Sequence, residues 1–498
     1  MGHILALDEG TTSTRAVIFS EDGRTVASSA QEFRQHFPGT GLVEHDAAEI
    51  WRTSREVIGR VLGTASLTAA DISAVGITNQ RETTVLWDRR TGEPVHRALV
   101  WQDTRGGEFV TRLTEAGLAD EILGITGLPV NTYFSAVKLM WLLDSDPRIR
   151  ERAEAGELLF GTIDSWLIWN LTGGPRGGLH LTDATNASRT LLMDLASLQW
   201  SPRMLEITGI PEAVLPEIRP SIGEFGRVDA NQLLGGVPIT GVLGDQQAAA
   251  FGQCAFSPGD TKNTYGTGCF LLTNTGTEIR RSSHGLVSTV GYTIAGQPPS
   301  YALEGSIAVA GSVVQWLRDE LGLISSSAEI EELAASVPDC GDVYFVPAFS
   351  GLFAPRWRPD ARGTIVGLTR FTTKAHIARA ALESTAFQTA EVLSSMRSDS
   401  GFEIERISAD GGMSVNDTLM QFQADVLGCE VVRPRIVEAT ALGAAFAAGI
   451  GAGTYADTQE VGQFRSVARS WTPQIDAGER TRILRRWDDA VQRSLGWV

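Results

Sequence analysis

Hydrophobic positions near the start of the chain come in short runs broken by one polar segment. Ile4-Leu5-Ala6-Leu7 is followed by the octet Asp8-Glu9-Gly10-Thr11-Thr12-Ser13-Thr14-Arg15, and then by Ala16-Val17-Ile18-Phe19. Two strands joined by a polar turn are predicted. A second turn at Glu21-Asp22-Gly23 and a strand at 25–28 extend them into an antiparallel meander. The period then changes. Over 47–62, Ile50, Trp51, Val57, Ile58, Val61 and Leu62 share one face of a helix, with Asp46 placed to cap it. A buried-type strand follows at 72–78, another at 83–87, and a short apolar stretch at 98–101. A helix is predicted over 135–143 and a strand from 158, whereas 171–186 is Gly-rich and polar and reads as surface loop without chemistry.

Midway, 238–243 is a buried strand ending in Gly244-Asp245-Gln246-Gln247, and 248–253 continues as a helix. The opening pattern then starts again. Thr261-Lys262-Asn263-Thr264-Tyr265, the turn Gly266-Thr267-Gly268 and Cys269-Phe270-Leu271-Leu272 form a second strand, Gly/Thr turn and strand. Strands near 286–292 and 300–303, helices at 308–321 and 374–400, and a strand at 404–409 follow. Asp410-Gly411-Gly412-Met413-Ser414-Val415-Asn416 is a glycine loop opening a further helix, and 439–448 is a small-residue helix suited to tight packing on a sheet. Two halves that open alike predict an α/β protein of two domains, 1–252 and 253–498, with one nucleotide held between them.

Composition sharpens this picture. At 498 residues with 43% hydrophobic positions, the chain exceeds what one core serves and has ample apolar material for two. Lys and Arg number 42 against 59 Asp and Glu, and the net charge of −17 disfavours nucleic acid and anionic lipid as partners. Phosphate would therefore be bound locally, by glycine turns and a metal ion. Cys254, Cys269, Cys340 and Cys429 are far apart, the seven histidines make no zinc spacing, and no basic apolar leader precedes the first strand. A cytoplasmic protein that does not span the membrane is expected.

Four places carry candidate chemistry. In the octet, Gly10 permits a tight turn, Thr11, Thr12 and Ser13 offer donors to phosphate, Arg15 adds a fixed charge, and Asp8 suits Mg²⁺. An ordinary hairpin turn accounts for the same residues. Arg81 and Glu82 lie at a strand boundary, as a solvated ion pair or as a donor fork and acceptor for hydroxyl groups. Asp245 ends a strand where ligands bind in open α/β sheets, and would equally serve as a helix N-cap. Gly411 and Gly412 allow backbone to approach a flat or anionic ligand.

The blocks DEGTTSTRAV from Asp8, GITNQRETTVLWD from Gly76, YFSAVKLMWLLD from Tyr133, LLFGTIDSWLIW from Leu158, TDATNASRT from Thr182, GDQQAA from Gly244, KNTYGTGCF from Lys262 and DGGMSVN from Asp410 resemble the FGGY carbohydrate kinases almost end to end. The resemblance implies two ribonuclease-H-like domains of the actin and hexokinase ATPase type around a deep cleft. It also implies phosphorylation of glycerol by MgATP, with another small polyol or a ketose as the alternative substrate and a nucleotide-switched, non-kinase ATPase as the rival class. Carried over to this chain, it assigns the ATP phosphates to Thr11, Thr12, Ser13, Arg15 and Thr267, with Asp8 near the metal. Gly311, Gln315, Gly412 and Asn416 fall on the nucleoside side, and Arg81, Glu82, Tyr133, Asp245 and Gln246 on glycerol, with Trp101 and Phe270 against its carbons. Asp245 is the expected general base. A homo-oligomer, dimer or tetramer, is implied as well. Glu9 departs from the pattern, standing where many relatives have Gln.

Overall fold

The computed structural model describes residues 2–435 and 438–498. The first half is organised by strands β1 (His3–Glu9), β2 (Ser13–Ser20) and β3 (Thr25–Glu32), helix α1 (Ala47–Ala65), strand β4 (Ile72–Asn79), helices α2 (Ser135–Ser145) and α3 (Ala184–Ala187), strand β5 (Ile239–Gly244) and helix α4 (Asp245–Gly252). Its sheet has the order β5-β4-β1-β2-β3, with β1 antiparallel to β2 and parallel to β4. Both faces are covered. Leu5, Leu7, Ala16, Ile18, Val75 and Ile77 pack with Ile50, Val57 and Val61 of α1, while Ile4, Ala6, Val17, Phe19 and Ala74 join a second core on the other side. This is why the strands read as continuous apolar runs rather than alternating ones. Asp46 caps α1, accepting from the Ala48 and Glu49 N–H groups at 2.9 and 3.2 Å.

The second half contains β6 (Thr261–Tyr265), β7 (Cys269–Gly276), β8 (Val287–Tyr292), β9 (Ser300–Ile307), α5 (Gly311–Asp319), α6 (Lys374–Ser400), β10 (Arg406–Asp410), α7 (Asp417–Leu427), β11 (Glu430–Pro434), α8 (Ala439–Gly451) and β12 (Val467–Trp471). The sheet order is β8-β9-β7-β6-β10-β11-β12. Its central run β9-β7-β6-β10-β11 repeats β3-β2-β1-β4-β5 of the first sheet, with the same two antiparallel pairings followed by two parallel ones. The duplicated opening pattern is thus a duplicated topology.

One helix crosses between the halves. α8 supplies Leu442, Ala445 and Phe446 to the core beneath the first sheet, and Thr240 Oγ1 donates to the Ala448 carbonyl at 2.7 Å. Glycines let the backbones touch: a methyl group at Gly443 would lie 1.8 Å from the Ala248 carbonyl oxygen, and one at Gly76 2.2 Å from that of Ala444. The tight packing expected of the small-residue helix is therefore on the other half's sheet, and we retain the 1–252 and 253–498 division only as a proposal.

Residues 181–186 differ from the expected loop, whereas 175–177 and 179 are exposed as a surface loop would be. Leu181–Asp183 is a short buried strand and α3 follows it, buried throughout. Thr185 Oγ1 accepts from the Gly244 N–H at 2.8 Å, and the Asn79 and Asn186 side-chain amides exchange hydrogen bonds at 2.9 and 3.1 Å. The polar residues face inward because they satisfy the carboxyl ends of β4 and β5. Among the described residues no helix is long and apolar enough to cross a membrane.

Two glycines give opposite expectations. Gly443→Ala should lower stability by about 1–3 kcal/mol, since its methyl meets backbone that cannot step aside. Gly63→Ala in α1, where a methyl would meet nothing within 4 Å, should raise it by roughly 0.5–1 kcal/mol. Thermal melting of the two variants beside the parent checks both signs.

Candidate active site

The sheet register gathers the candidate residues. Asp8 pairs with Thr78 and Glu9 with Asn79, while Leu243 and Gly244 pair with the same two residues of β4 from the other side. The carboxyl ends of β1, β4 and β5 therefore lie side by side, with Asp8, Arg81 and Asp245 just at or beyond them. Gln80 ties the polar hairpin to this edge, its Nε2 donating to the Gly10 carbonyl at 3.0 Å.

Arg81 is buried, with acceptors on both of its terminal nitrogens. Its Nη1 and Nη2 donate to Glu304 Oε2 and Oε1 at 2.5 and 2.9 Å, Nη1 also reaches Gln247 Oε1 at 3.2 Å, and Nε stands 3.1 Å from Asp245 Oδ1. Glu82 is buried as well, with Arg189 Nε donating to its Oε1 at 2.6 Å. Arg189 in turn lies 3.3 Å from Glu304 and stacks over Tyr133 and Phe134. Although burial alone would raise it, Arg189 and Arg81 hold the Glu304 carboxyl at about 2. The solvated ion pair is excluded for Arg81 and Glu82, which are 2% and 1% exposed. The Glu82 backbone also adopts a left-handed φ of 61°, a strain that persists only where surroundings enforce it. Ser135 Oγ at the start of α2 donates to its carbonyl at 3.1 Å.

Asp245 is the first residue of α4 and not its cap; the cap position is Gly244, and the Asp245 carboxylate accepts only the adjacent Gln246 N–H, at 2.7 Å, besides facing Arg81. Its side chain keeps 30% exposure into the cleft. The N-cap alternative is thereby removed. Trp101, Tyr133 and Phe270 close an aromatic wall: the Trp101 ring is edge-on to Tyr133 at 5.6 Å and to Phe270 at 6.3 Å. Trp101 Nε1 donates to Thr11 Oγ1 at 3.0 Å, so this wall touches the hairpin directly. Gln246 meets Lys262 of the second half at 2.5 Å.

In the hairpin, Gly10 N–H donates to the Ser13 carbonyl at 3.0 Å, Thr12 is exposed, and Thr11, Ser13 and Arg15 are partly so. Arg15 pairs with Glu438, which precedes α8. Burial lifts the Asp8 carboxyl to about 6, with Arg15 opposing and the Asp245 charge adding to the rise. Glu9 points the other way, into the core, where Thr14 Oγ1 donates to it at 2.9 Å and burial pushes its carboxyl well up.

Across the cleft, Thr267, Gly311, Gln315, Gly412 and Asn416 all line one cavity of about 430 Å³. The second hairpin turn is docked on α5: Thr267 O accepts from Ala310 and Ser312 N–H at 2.9 and 3.1 Å, and Gly311 N–H donates to Gly266 O at 2.9 Å. A methyl at Gly311 would sit 2.6 Å from that oxygen, whereas one at Gly412 would meet nothing within 4 Å and would project into open space. Asn416 caps α7, accepting from Leu419 N–H at 2.8 Å. Val314, Leu382 and Met413 supply apolar walls to the same cavity. Sequence reasoning missed Arg189, Glu304 and Lys262; the first and last stand inside quoted blocks, while nothing local marks Glu304.

Family models for the N-terminal and C-terminal domains of the FGGY family of carbohydrate kinases match residues 3–252 and 261–452. The chain is 58% identical to the glycerol kinase of Pseudarthrobacter chlorophenolicus, with 100% of this chain and 98% of that one covered. It is 56% identical to the glycerol kinase of Brucella anthropi, with 99% of each covered. A solved structure of Plasmodium falciparum glycerol kinase with ADP superposes with a TM-score of 0.91 at 40% identity, covering 99% of this chain and 98% of that one.

Glu304→Leu should destabilise the protein by about 3–5 kcal/mol, because it strands two buried guanidinium groups; a melting curve suffices to test this. Glu9→Gln should act in the opposite direction and depend on pH. A carboxyl raised on folding contributes fully below its unfolded value near 4.5 and loses that contribution as pH climbs through the folded value. The amide does not titrate, so the gain in Tm over the parent should be larger at pH 8 than at pH 5; an equal or smaller gain at pH 8 would contradict a protonated Glu9.

Proposed function

The chain belongs to the FGGY family of carbohydrate kinases, and on that premise we propose that it transfers the γ-phosphoryl group of ATP to a terminal hydroxyl of glycerol, giving glycerol 3-phosphate and ADP, the first step of glycerol catabolism. The observation that supports this reading is the clustering of Arg81, Glu82, Tyr133, Asp245 and Gln246 beside the aromatic rings of Trp101 and Phe270, in a chain 58% identical to a glycerol kinase along its whole length. An ATP clamp alone would not need that polar cluster.

Phosphoryl transfer asks mainly for alignment and charge neutralisation. Arg81, Glu82, Tyr133 and Gln246 orient the triol, and Asp245 accepts the proton of the attacking hydroxyl. Thr11, Thr12, Ser13, Arg15 and Thr267 hold the phosphates, and the cavity bounded by Gly311, Gln315, Gly412 and Asn416 takes the nucleoside. Trp101 and Phe270 close on the carbon chain and exclude water.

The chemistry of the donor set fits Mg²⁺. Asp8 is lifted by burial and by the charge of Asp245, so a divalent cation beside it would relieve that repulsion. Magnesium takes one or two carboxylates together with waters and phosphate oxygens, and among the described residues no cluster of three ligating side chains competes for it. When bound, the ion would neutralise phosphate charge. Cytoplasmic location and a homo-oligomer complete the proposal, the latter checked by light scattering.

Glycerol-dependent release of ADP is the primary test, with propane-1,2-diol, dihydroxyacetone and a pentitol as comparisons. Asp245→Asn should still bind glycerol but lose about 10²–10⁴-fold in kcat, since the amide can hydrogen-bond without accepting a proton. Near-normal kcat in this variant would remove Asp245 as the base.

A further inference from the structure

Lys262 is fully buried in β6, in register with Leu272 of β7, which faces Glu304 of β9. Its ammonium donates to Gln246 Oε1 at 2.5 Å, to Thr264 Oγ1 at 2.9 Å and to the Phe270 carbonyl at 3.1 Å. A protonated lysine has three donors and no acceptor, so these partners exhaust it and Gln246 must turn its carbonyl oxygen toward it. The Gln246 amide nitrogen is thereby turned away, and it has no hydrogen-bond partner among the described residues. Gln247 beside it is fixed differently: its Oε1 accepts from Arg81 and its Nε2 donates to the Val290 carbonyl at 3.1 Å, so both ends of that amide are already engaged by protein.

Resting on the assignment of this cleft to glycerol, we propose that Lys262 is a positioning residue that locks the Gln246 amide with its NH₂ group, and not its carbonyl, toward the substrate. A side-chain amide unconstrained by its neighbours can present either end, and the two ends select opposite partners. An NH₂ group selects an oxygen with a free lone pair, as in a hydroxyl or a ketone, and disfavours a group that can only donate. Burial draws the lysine down to about 8, with the Arg81 charge acting in the same direction and those of Asp410, Glu304 and Asp245 favouring the protonated form. The second half of the chain thus sets the hydrogen-bonding polarity of a residue on the first.

Two substitutions separate this role from simple structural support. Gln246→Glu keeps an oxygen for Lys262 but has no donor, so it should melt at or above the parent temperature while raising the KM for glycerol at least about tenfold and that for ATP less than about twofold. Lys262→Met should raise the glycerol KM in the parent, yet change it by less than about twofold when Gln246 is already Leu, because it acts through the amide. A parent-like glycerol KM in Gln246→Glu would mean that the substrate meets a carbonyl, and an equal effect of Lys262→Met in both backgrounds would mean that the lysine acts elsewhere; either overturns the proposal. Absence of glycerol-dependent turnover in the parent would instead sink the functional assignment itself.

Discussion

A guanidinium held by both oxygens of one carboxylate, Arg81 on Glu304, is the contact on which the floor of the cleft depends. Arg81 follows β4 of the first sheet and Glu304 lies within β9 of the second, and both are fully enclosed. Neither charge can be buried alone, because an uncompensated ion in the interior costs several kcal/mol. Arg189 extends the pair by serving Glu82 and approaching Glu304, so two cations and two carboxylates share one dry volume with Asp245 at its edge. The planar fork fixes direction as well as distance. Space beside it is used up: a methyl at Gly244 would sit 2.7 Å from Arg81 Cδ.

The duplicated topology explains how one ligand can be met from two sides. Each half places a polar hairpin turn next to the carboxyl end of a parallel strand, Gly10 to Ser13 beside β4 and Gly266 to Gly268 beside β10. The two turns are then stabilised by different neighbours. The first is braced by Trp101 and Gln80, and the second by the N-terminus of α5. α8 binds the halves further by leaving the second and packing, through Gly443, on the helix that begins with Asp245. The link from α8 to the helix that begins with Asp245 is thus made by backbone contact rather than through a flexible side chain.

What was legible in the sequence was what local pattern encodes. The meander, the capped α1, the second hairpin and the glycine loop at 410–416 follow from alternation, periodicity and turn residues, and each stands close to its expected bounds. The segment 171–186 was read as loop because Gly and polar residues predominate there, which holds for the exposed 175–177, yet Thr185 and Asn186 are consumed by a backbone N–H and a side-chain amide up to 107 residues away. Pairings of that range leave no periodic trace. Glu304 escaped for the same reason: a lone carboxylate in a strand normally marks the solvent face, and only the arginines at 81 and 189 turn it inward. Lys262 likewise sits in a strand beside a turn, where a solvated lysine would be unremarked.

Burying two guanidinium groups side by side leaves some of their donors unmade. Arg81 Nε, despite its closeness to Asp245, and both terminal nitrogens of Arg189 make no hydrogen bond although buried. Each such donor costs about 1–3 kcal/mol when unmade. Natural interiors keep few of them, and here three lie on two adjoining guanidinium groups. Ion pairing with Glu304, Glu82 and Asp245 offsets the charge, but pairing satisfies direction only in part. These three nitrogens are closed to solvent and so to anything entering the cleft, and the ion pairs joining the two halves must outweigh their cost. Arg81 and Glu304 come from different halves, so neither can be replaced without stranding a buried charge in the other.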